Sequence, residues 1–514
     1  MNKKSRTENV SKNMYFSLLC QVANLAMNFV SRTFFIQILG VEYLGVNGLF
    51  TNILTLLSFA ELGIGNAIIF SMYKPLAKSD YNKLSLLMAF YRRTYHKIGV
   101  VVGVLGMAVV PFLHLIVRDA PDITESLTLI YVLFLANTTI SYFFVYKKSI
   151  ITADQKLYIV SLYGQITRVV RTVIQIAFLL ITGSYIIFLV LQLIFTFLEN
   201  YILSKKADRM YTFLGEKEGD ERLSKDERSS IFENVKALVM YKFGSAILNG
   251  TASIMISVLI GVSAVGIVSN YQLIIMAITV LVGQVLSSFT ASVGNLNAVE
   301  SNERKEKVFN KIFFMVTWIY GYFGVGLLLF VNPLIYLWLG EEFVLSSLVV
   351  GSIILHFYIN SVHFPAYTYR VTAGLFVKGR YTPLAAAVIN ILLGVALGRA
   401  IGLAGVFFGM SIARLITTNI VDPILIFKYV FEKSPKMYFL RYFGYIGLFG
   451  LIYLGLRMPV EGLNISNIGI LVVLAIIMTV IFNGLMVLIF RKTDNFIELM
   501  NTGKELFRKK RGSV

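Results

Sequence analysis

Apolar stretches of about twenty residues, each closed by charged or turn-forming positions, recur along the whole chain, and that is the helix length that crosses a bilayer core. The pattern predicts spans at 13–39, 45–73, 97–117, 127–146, 157–183 and 185–204. A polar segment follows, then spans at 237–261, 266–292, 311–332, 345–367, 383–402 and 404–427. Two more, at 438–457 and 468–490, bring the expected number to fourteen.

The two sets of six read as repeats. Gly40-Val41-x-x-x-Gly45 returns as Gly261-Val262-x-x-x-Gly266 at an offset of 221, each time joining the first two spans of its half. Pro111-Phe-Leu-His-Leu115 is answered by Pro333-Leu-Ile-Tyr-Leu337 at offset 222, and turns beginning at Tyr146 and Tyr369 follow at 223. Three matches at a nearly constant offset point to an internal duplication. Six is even, so both halves start on the same side. Such parallel repeats are related by an axis along the membrane normal and hold a substrate between them. The expected divisions are an N-lobe at 1–204, a cytoplasmic linker at 205–236, a C-lobe at 237–427, and two extra spans with a basic tail at 428–514.

Composition removes the soluble classes: 57% of residues are hydrophobic and 15% charged, with a mean hydropathy of +0.73. The net charge of +19 would suggest nucleic acid in a soluble protein, but 39 of the 47 Lys and Arg residues fall in alternate connections on one side of the predicted spans. The positive-inside rule then places both termini in the cytoplasm, and contact with anionic lipid accounts for the charge without a nucleic acid partner. The 205–236 segment carries eight basic and eight acidic residues and reads as a hydrated linker. Arg508-Lys509-Lys510-Arg511 reads as a lipid-headgroup anchor. Residues 1–12 are polar and the next apolar run is long enough to span, so no cleavable signal is expected.

Chemistry is sparse. Cys20 is the single cysteine, which excludes a disulfide framework, and His96, His114, His356 and His363 have no metal-ligand spacing. The one Gly-Lys pair, Gly503-Lys504, precedes Glu505, so the nucleotide-binding Gly-Lys-Ser/Thr signature is missing. No nucleophile, base and acid are arranged for catalysis, and outer segments such as 118–125 and 458–467 are too short for an active site. The expectation is a transporter without cofactor or metal, not an enzyme.

The run Arg32-Thr-Phe-Phe-Ile-Gln-Ile-Leu-Gly-Val-Glu-Tyr-Leu-Gly-Val, followed by Leu-Leu-Ser-Phe-Ala-Glu-Leu-Gly-Ile-Gly-Asn-Ala-Ile at 56–68, resembles the opening of the polysaccharide transporters, the Wzx-type flippases. These belong to the multidrug/oligosaccharidyl-lipid/polysaccharide exporter superfamily. The span number, the paired six-span halves and the two extra C-terminal spans extend the resemblance over the whole chain. It implies an all-α polytopic fold of two six-helix lobes around a central cavity that opens alternately to each side of the bacterial cytoplasmic membrane. The implied cargo is an undecaprenyl-diphosphate-linked oligosaccharide for capsule, exopolysaccharide or O-antigen synthesis. Implied partners are membrane lipids, a polysaccharide polymerase and glycosyltransferases. Teichoic-acid or lipid II flipping, and cation-coupled multidrug antiport, are the alternatives within the superfamily.

The residues bear on that choice. A diphosphate inside a membrane needs fixed cations, whereas a drug/cation antiporter needs a buried carboxylate. Arg32, Arg168, Arg171 and Arg414 lie within predicted spans and Lys242 just inside the seventh, while Glu61 is the clearest intramembrane acid. Arg32 sits about 7 residues, roughly 10 Å of helix, from the outer end of its span, too deep to snorkel easily. Arg168 and Arg171, three apart, share a helix face and line either a cavity or the inner membrane interface. Lys242 occupies the first helix of the second half, the counterpart of the helix bearing Arg32, and is close enough to the surface to snorkel. Arg414 either binds substrate or pairs with Asp422. Glu61 is expected to be a counter-ion or gate, since an unpaired buried carboxylate becomes protonated. Asn360, His356 and His363 form a polar stripe suited to sugars or to interhelical hydrogen bonds.

Overall fold

Long apolar runs satisfy their backbone hydrogen bonds internally only as helices in a lipid environment, and all regular structure in the computed structural model is helical among the described residues. These are residues 3–58, 64–117, 122–214, 250–375, 378–379, 381–463 and 465–501. Eleven helices are long and apolar enough to cross a membrane, and the pair Leu127–Tyr142 and Val145–Ala153, bent by 45°, makes a twelfth. The two remaining predicted spans, 45–73 and 237–261, fall partly outside the described residues. Their described parts are the shorter helices Val41–Leu57, Ile64–Lys78 and Gly250–Leu259. The protein is therefore a multi-pass, all-α membrane protein.

In chain order the helices of the first half are α1 (Lys3–Leu39), α2 (Val41–Leu57), α3 (Ile64–Lys78), α4 (Tyr81–Val109), α5 (Leu113–Ile116), α6 (Leu127–Tyr142), α7 (Val145–Ala153), α8 (Leu157–Thr182) and α9 (Tyr185–Met210). Those of the second are α10 (Gly250–Leu259), α11 (Val262–Val299), α12 (Asn302–Leu339), α13 (Ser347–Val362), α14 (Phe364–Thr372), α15 (Thr382–Ile401), α16 (Leu403–Ile416), α17 (Thr418–Ile426), α18 (Lys436–Glu461) and α19 (Ile468–Phe490). The repeat is visible in these bounds. The break between α6 and α7 returns between α13 and α14, where Pro365 starts the new helix. Side-chain caps fix several helix starts: Asp80 accepts from Lys83 N at 3.0 Å, and Asn467 from Ile470 N at 3.0 Å.

The chain divides into two compact units, Met1–Gly266 and Ile267–Val514. In the first, α8 packs against both α1 and α9, and α6 against α4 and α9. A core of Leu87, Met88, Tyr91, Tyr95, Ile150 and Ile151 lies under α3, α4 and α7. This unit also contains the meeting of the two glycine motifs. Gly40 and Gly261 both have positive φ, at 88° and 135°, so each turn between first and second span needs a residue without Cβ. A Cβ on Gly45 would lie 2.1 Å from Val262 O, and one on Gly266 2.4 Å from Val41 O. Glu42 and Ser263, 221 positions apart and therefore repeat counterparts, hydrogen-bond at 2.9 Å. Further along the same seam Asn52 Nδ2 donates to Ser253 Oγ at 2.8 Å.

In the second unit α12 is the central element, with α13, α18 and α19 against it. The tightest pair is α15 with α16, where a Cβ on Gly405 would stand 1.9 Å from Leu397 O and one on Gly409 2.6 Å from Gly394 N. Close backbone approach over small residues is how membrane helices gain van der Waals contact when lipid supplies no hydrophobic drive.

Candidate functional site

Arg32, Arg168 and Arg171 come from two helices packed side by side. Cys20 Sγ on α1 reaches Ser161 O on α8 at 3.7 Å. Higher up, the Phe35 ring meets Phe188 at 5.4 Å, and Gln175 Nε2 donates to Phe188 O at 2.9 Å. Moving from Cys20 to Phe35 on α1 thus parallels moving from Ser161 to Gln175 on α8, so the helices run in the same direction and in step. Arg32 falls level with residues 172–173 of α8, within about 3 Å of the height of Arg171 at helical rise.

The face of α8 is fixed by α9. A Cβ on Gly164 would lie 3.5 Å from Glu199 Oε1, and Arg168 and Arg171 follow Gly164 at helical spacing on the same stripe. The charges of Arg168 and Glu199 both act on Arg171. Glu199 in turn accepts from Lys148 Nζ on α7 at 3.1 Å, and the neighbouring Lys147 binds Asp208 at 2.8 Å. Arg168 is exposed, whereas Arg32 and Arg171 are half-buried. Among the described residues Arg171 Nε, Gln165 Nε2 on the same helix and Asn24 Oδ1 on α1 are buried with no hydrogen-bond partner. Asn24, Asn28 and Arg32 recur every fourth residue, so one face of α1 is a polar stripe ending in a cation.

Among the described residues the local balance is cationic. Across α1 from Cys20 onward, α4, α6 and α8 there is no carboxylate. On α9 both Glu199 and Asp208 are already held by lysines. The structure brings Arg168, Arg171 and Glu199 together and sets Arg32 level with them on the adjoining helix. Glu61 and Lys242 lie outside the described residues, as do most of the linker and the Arg508–Arg511 cluster. Glu199, Lys148, Asn24 and Gln165 were not singled out from the sequence. The signal for Glu199 was present, an acid inside an otherwise apolar span, while the Asn24–Asn28–Arg32 spacing was legible as a stripe.

The second unit holds Arg414 near the end of α16, where it is 7% exposed and its charge acts on His356 of α13. Asp422, the partner considered for it, is bound by Arg370 Nη1 and by His363 Nε2, the latter at 2.9 Å. Arg370 also donates to Gly379 O at 3.0 Å. Arg370 reads as a loop cation in the sequence, yet it is 2% exposed and Asp422 1%. The helix is interrupted at Thr417, whose φ and ψ of −115° and −94° separate α16 from α17, and Asp422 lies on α17, which packs against α14. Of the polar stripe on α13, Asn360 is exposed, His356 lies near the Phe407 ring and His363 belongs to the Asp422 cluster. Among the described residues no group of His, Cys, Asp and Glu is arranged for a metal ion.

No protein-family model matches the chain, and no curated protein matches it. Solved structures do. A multidrug resistance MATE family transporter of the MOP superfamily, inward-facing, superposes with a TM-score of 0.60 at 14% identity over 78% of this chain and 93% of its own. The lipid II flippase MurJ, in an inward closed conformation, gives 0.58 at 16% identity over 91% and 99%. The MATE transporter VcmN of Vibrio cholerae gives 0.56 at 14% over 84% and 99%. At such identities the likeness establishes architecture: the chain has the fold of the MOP superfamily transporters.

Proposed function

We propose that the protein is a flippase that carries an undecaprenyl-diphosphate-linked oligosaccharide repeat unit across the bacterial cytoplasmic membrane by alternating access, for capsule, exopolysaccharide or O-antigen synthesis. The observation that carries this reading is the cationic α1/α8 pair: Arg168 and Arg171 share a face of α8 where, among the described residues, the carboxylate acting on Arg171 is Glu199, already engaged by Lys148, and Arg32 lies level with them on α1. Charges inside a bilayer are costly and persist where they serve a polar cargo or an aqueous path. Guanidinium groups bind phosphate oxygens through paired, charge-assisted hydrogen bonds, so a diphosphate matches them and a cationic drug does not. Asn24 Oδ1 and Gln165 Nε2, buried atoms without a hydrogen-bond partner among the described residues, suit glycan hydroxyls beside the diphosphate. The lipid tail stays in the bilayer, where it costs nothing to solvate.

Transport then requires that the two repeats part and re-form contact. The seam of Gly45 on Val262 and Gly266 on Val41 is the contact that must open. Lipid II and teichoic-acid precursors carry their glycans on polyprenyl phosphates too, so those readings keep the same arginine roles and differ in the sugar. Antiport of cationic drugs would place the weight on Glu199 or Glu61 instead. A strain depleted of this protein tests the proposal: lipid-linked oligosaccharide should accumulate facing the cytoplasm while surface polymer disappears. Unchanged surface glycan together with new sensitivity to cationic drugs would refute it in favour of antiport.

A further inference from the structure

The two C-terminal helices and the segment after them border a half-open cavity of about 760 Å³ at the start of α12. After α19 the chain turns at 491–493, and residues 494–501 run as a helix back onto α12. The return is fastened at two points: Phe496 stacks on Trp318 with ring centroids 5.8 Å apart, and Lys307 binds Glu498 at 2.5 Å. Trp318 Nε1 also donates to Asn483 of α19 at 3.0 Å. The cavity is thus walled by packed elements rather than by a loose surface.

Its lining is of two kinds. Gly444, Tyr445, Leu448 and Phe490 make one part apolar, while the rest is charged in both signs. A Cβ on Gly444 would meet nothing within 4 Å, which leaves room for a hydrocarbon chain to lie along α18. At the charged part, Glu306 is taken by Lys433 at 2.6 Å and Glu498 by Lys307. Two cations, Arg441 and Lys492, and two carboxylates, Glu303 and Asp494, remain without an ion pair among the described residues.

We propose that this cavity binds one aminophospholipid molecule: its phosphodiester at Arg441 and Lys492, its ammonium at Glu303 and Asp494, and one acyl chain over Gly444. The argument is complementarity. An anionic lipid would satisfy the two cations but bring its charge against two carboxylates, whereas a phosphodiester and an ammonium on one headgroup satisfy both pairs. A free phosphate or a soluble zwitterion would leave the apolar part empty. The position suits a headgroup, because the lining comes from the starts of α12 and α18 and the end of α19, helix ends that also carry Lys436 and Arg491. This site is independent of the transport reading and of the arginines on α1 and α8.

Native mass spectrometry of the full-length protein released from detergent tests it, with dioleoyl phosphatidylethanolamine and dioleoyl phosphatidylglycerol supplied in equal amounts and inorganic phosphate as the soluble probe. The wild type should retain one phosphatidylethanolamine with about tenfold preference over the glycerol lipid, a free-energy gap of about 1.4 kcal/mol. Gly444→Leu, which fills open space and should leave the melting temperature unchanged, should abolish retention. Glu303→Gln with Asp494→Asn should keep a lipid bound but lose the preference, and Arg441→Gln with Lys492→Gln should lose both. Equal retention of the two lipids by the wild type, displacement by phosphate, no retained lipid, or full retention by folded Gly444→Leu would each overturn the proposal. If the arginine and lysine variant does not fold, the Gly444 variant decides.

Discussion

Asp422 carries more structural weight than any other acid described in the second unit. It is 1% exposed and takes both Arg370 and His363 as partners. Removing one side of a buried ion pair leaves the other charge uncompensated, which typically costs about 3–5 kcal/mol. Asp422→Ala should therefore lower the thermal midpoint of the detergent-purified protein sharply, and Asp422→Ala combined with Arg370→Met should recover much of the loss. A single variant as stable as the wild type would show that the cluster contributes little. The α1/α8 arginines differ in kind, since Arg168 is exposed and Arg171 half-buried, and their loss should change transport more than stability. At this scale the sequence shows which residue types are unusual but not which of them meet. Arg168 and Arg171 were legible as a pair because helical spacing alone puts them on one face. The Arg370–Asp422 pair was not, because it depends on packing between α14 and α17, segments 52 positions apart.

Among elements, the glycine motifs were the most readable feature. Their offset marks a duplication, and the structure adds that the two copies meet, each glycine lying under the other copy's valine carbonyl. Periodicity reveals that a repeat exists but is silent on whether its copies touch. Broken helices were less readable: the predicted spans 127–146 and 345–367 stop inside α7 and α14, and the 45° bend between α6 and α7 leaves no mark in hydropathy. The seam gives a direct prediction. Asn52 on α2 and Ser253 on α10 hydrogen-bond at 2.8 Å, and they belong to opposite repeats. With Cys20→Ser as background, Asn52→Cys and Ser253→Cys joined by a short bifunctional thiol reagent should stop transport, whereas either single cysteine treated alike should not. Unimpaired transport by the cross-linked protein would mean that the seam stays closed throughout the cycle.

For the whole molecule, span number and charge asymmetry led to the multi-pass helical architecture, and the solved transporters share it at 14–16% identity. Architecture of this kind is compatible with both flippase and antiport chemistry, so cargo has to be argued from the site. What separates the two is the sign of charge inside the membrane, and here it is positive along α1 and α8. The most direct measurement is translocation of a fluorescent undecaprenyl-diphosphate oligosaccharide in proteoliposomes, read as the fraction protected from an external quencher over time. The account predicts that wild-type protein accelerates translocation and that Arg168→Gln with Arg171→Gln slows it by about tenfold or more, since each charge-assisted hydrogen bond is worth about 1.5–3 kcal/mol. Equal rates for wild type and the double variant, at matched protein amounts and melting temperatures, would contradict it.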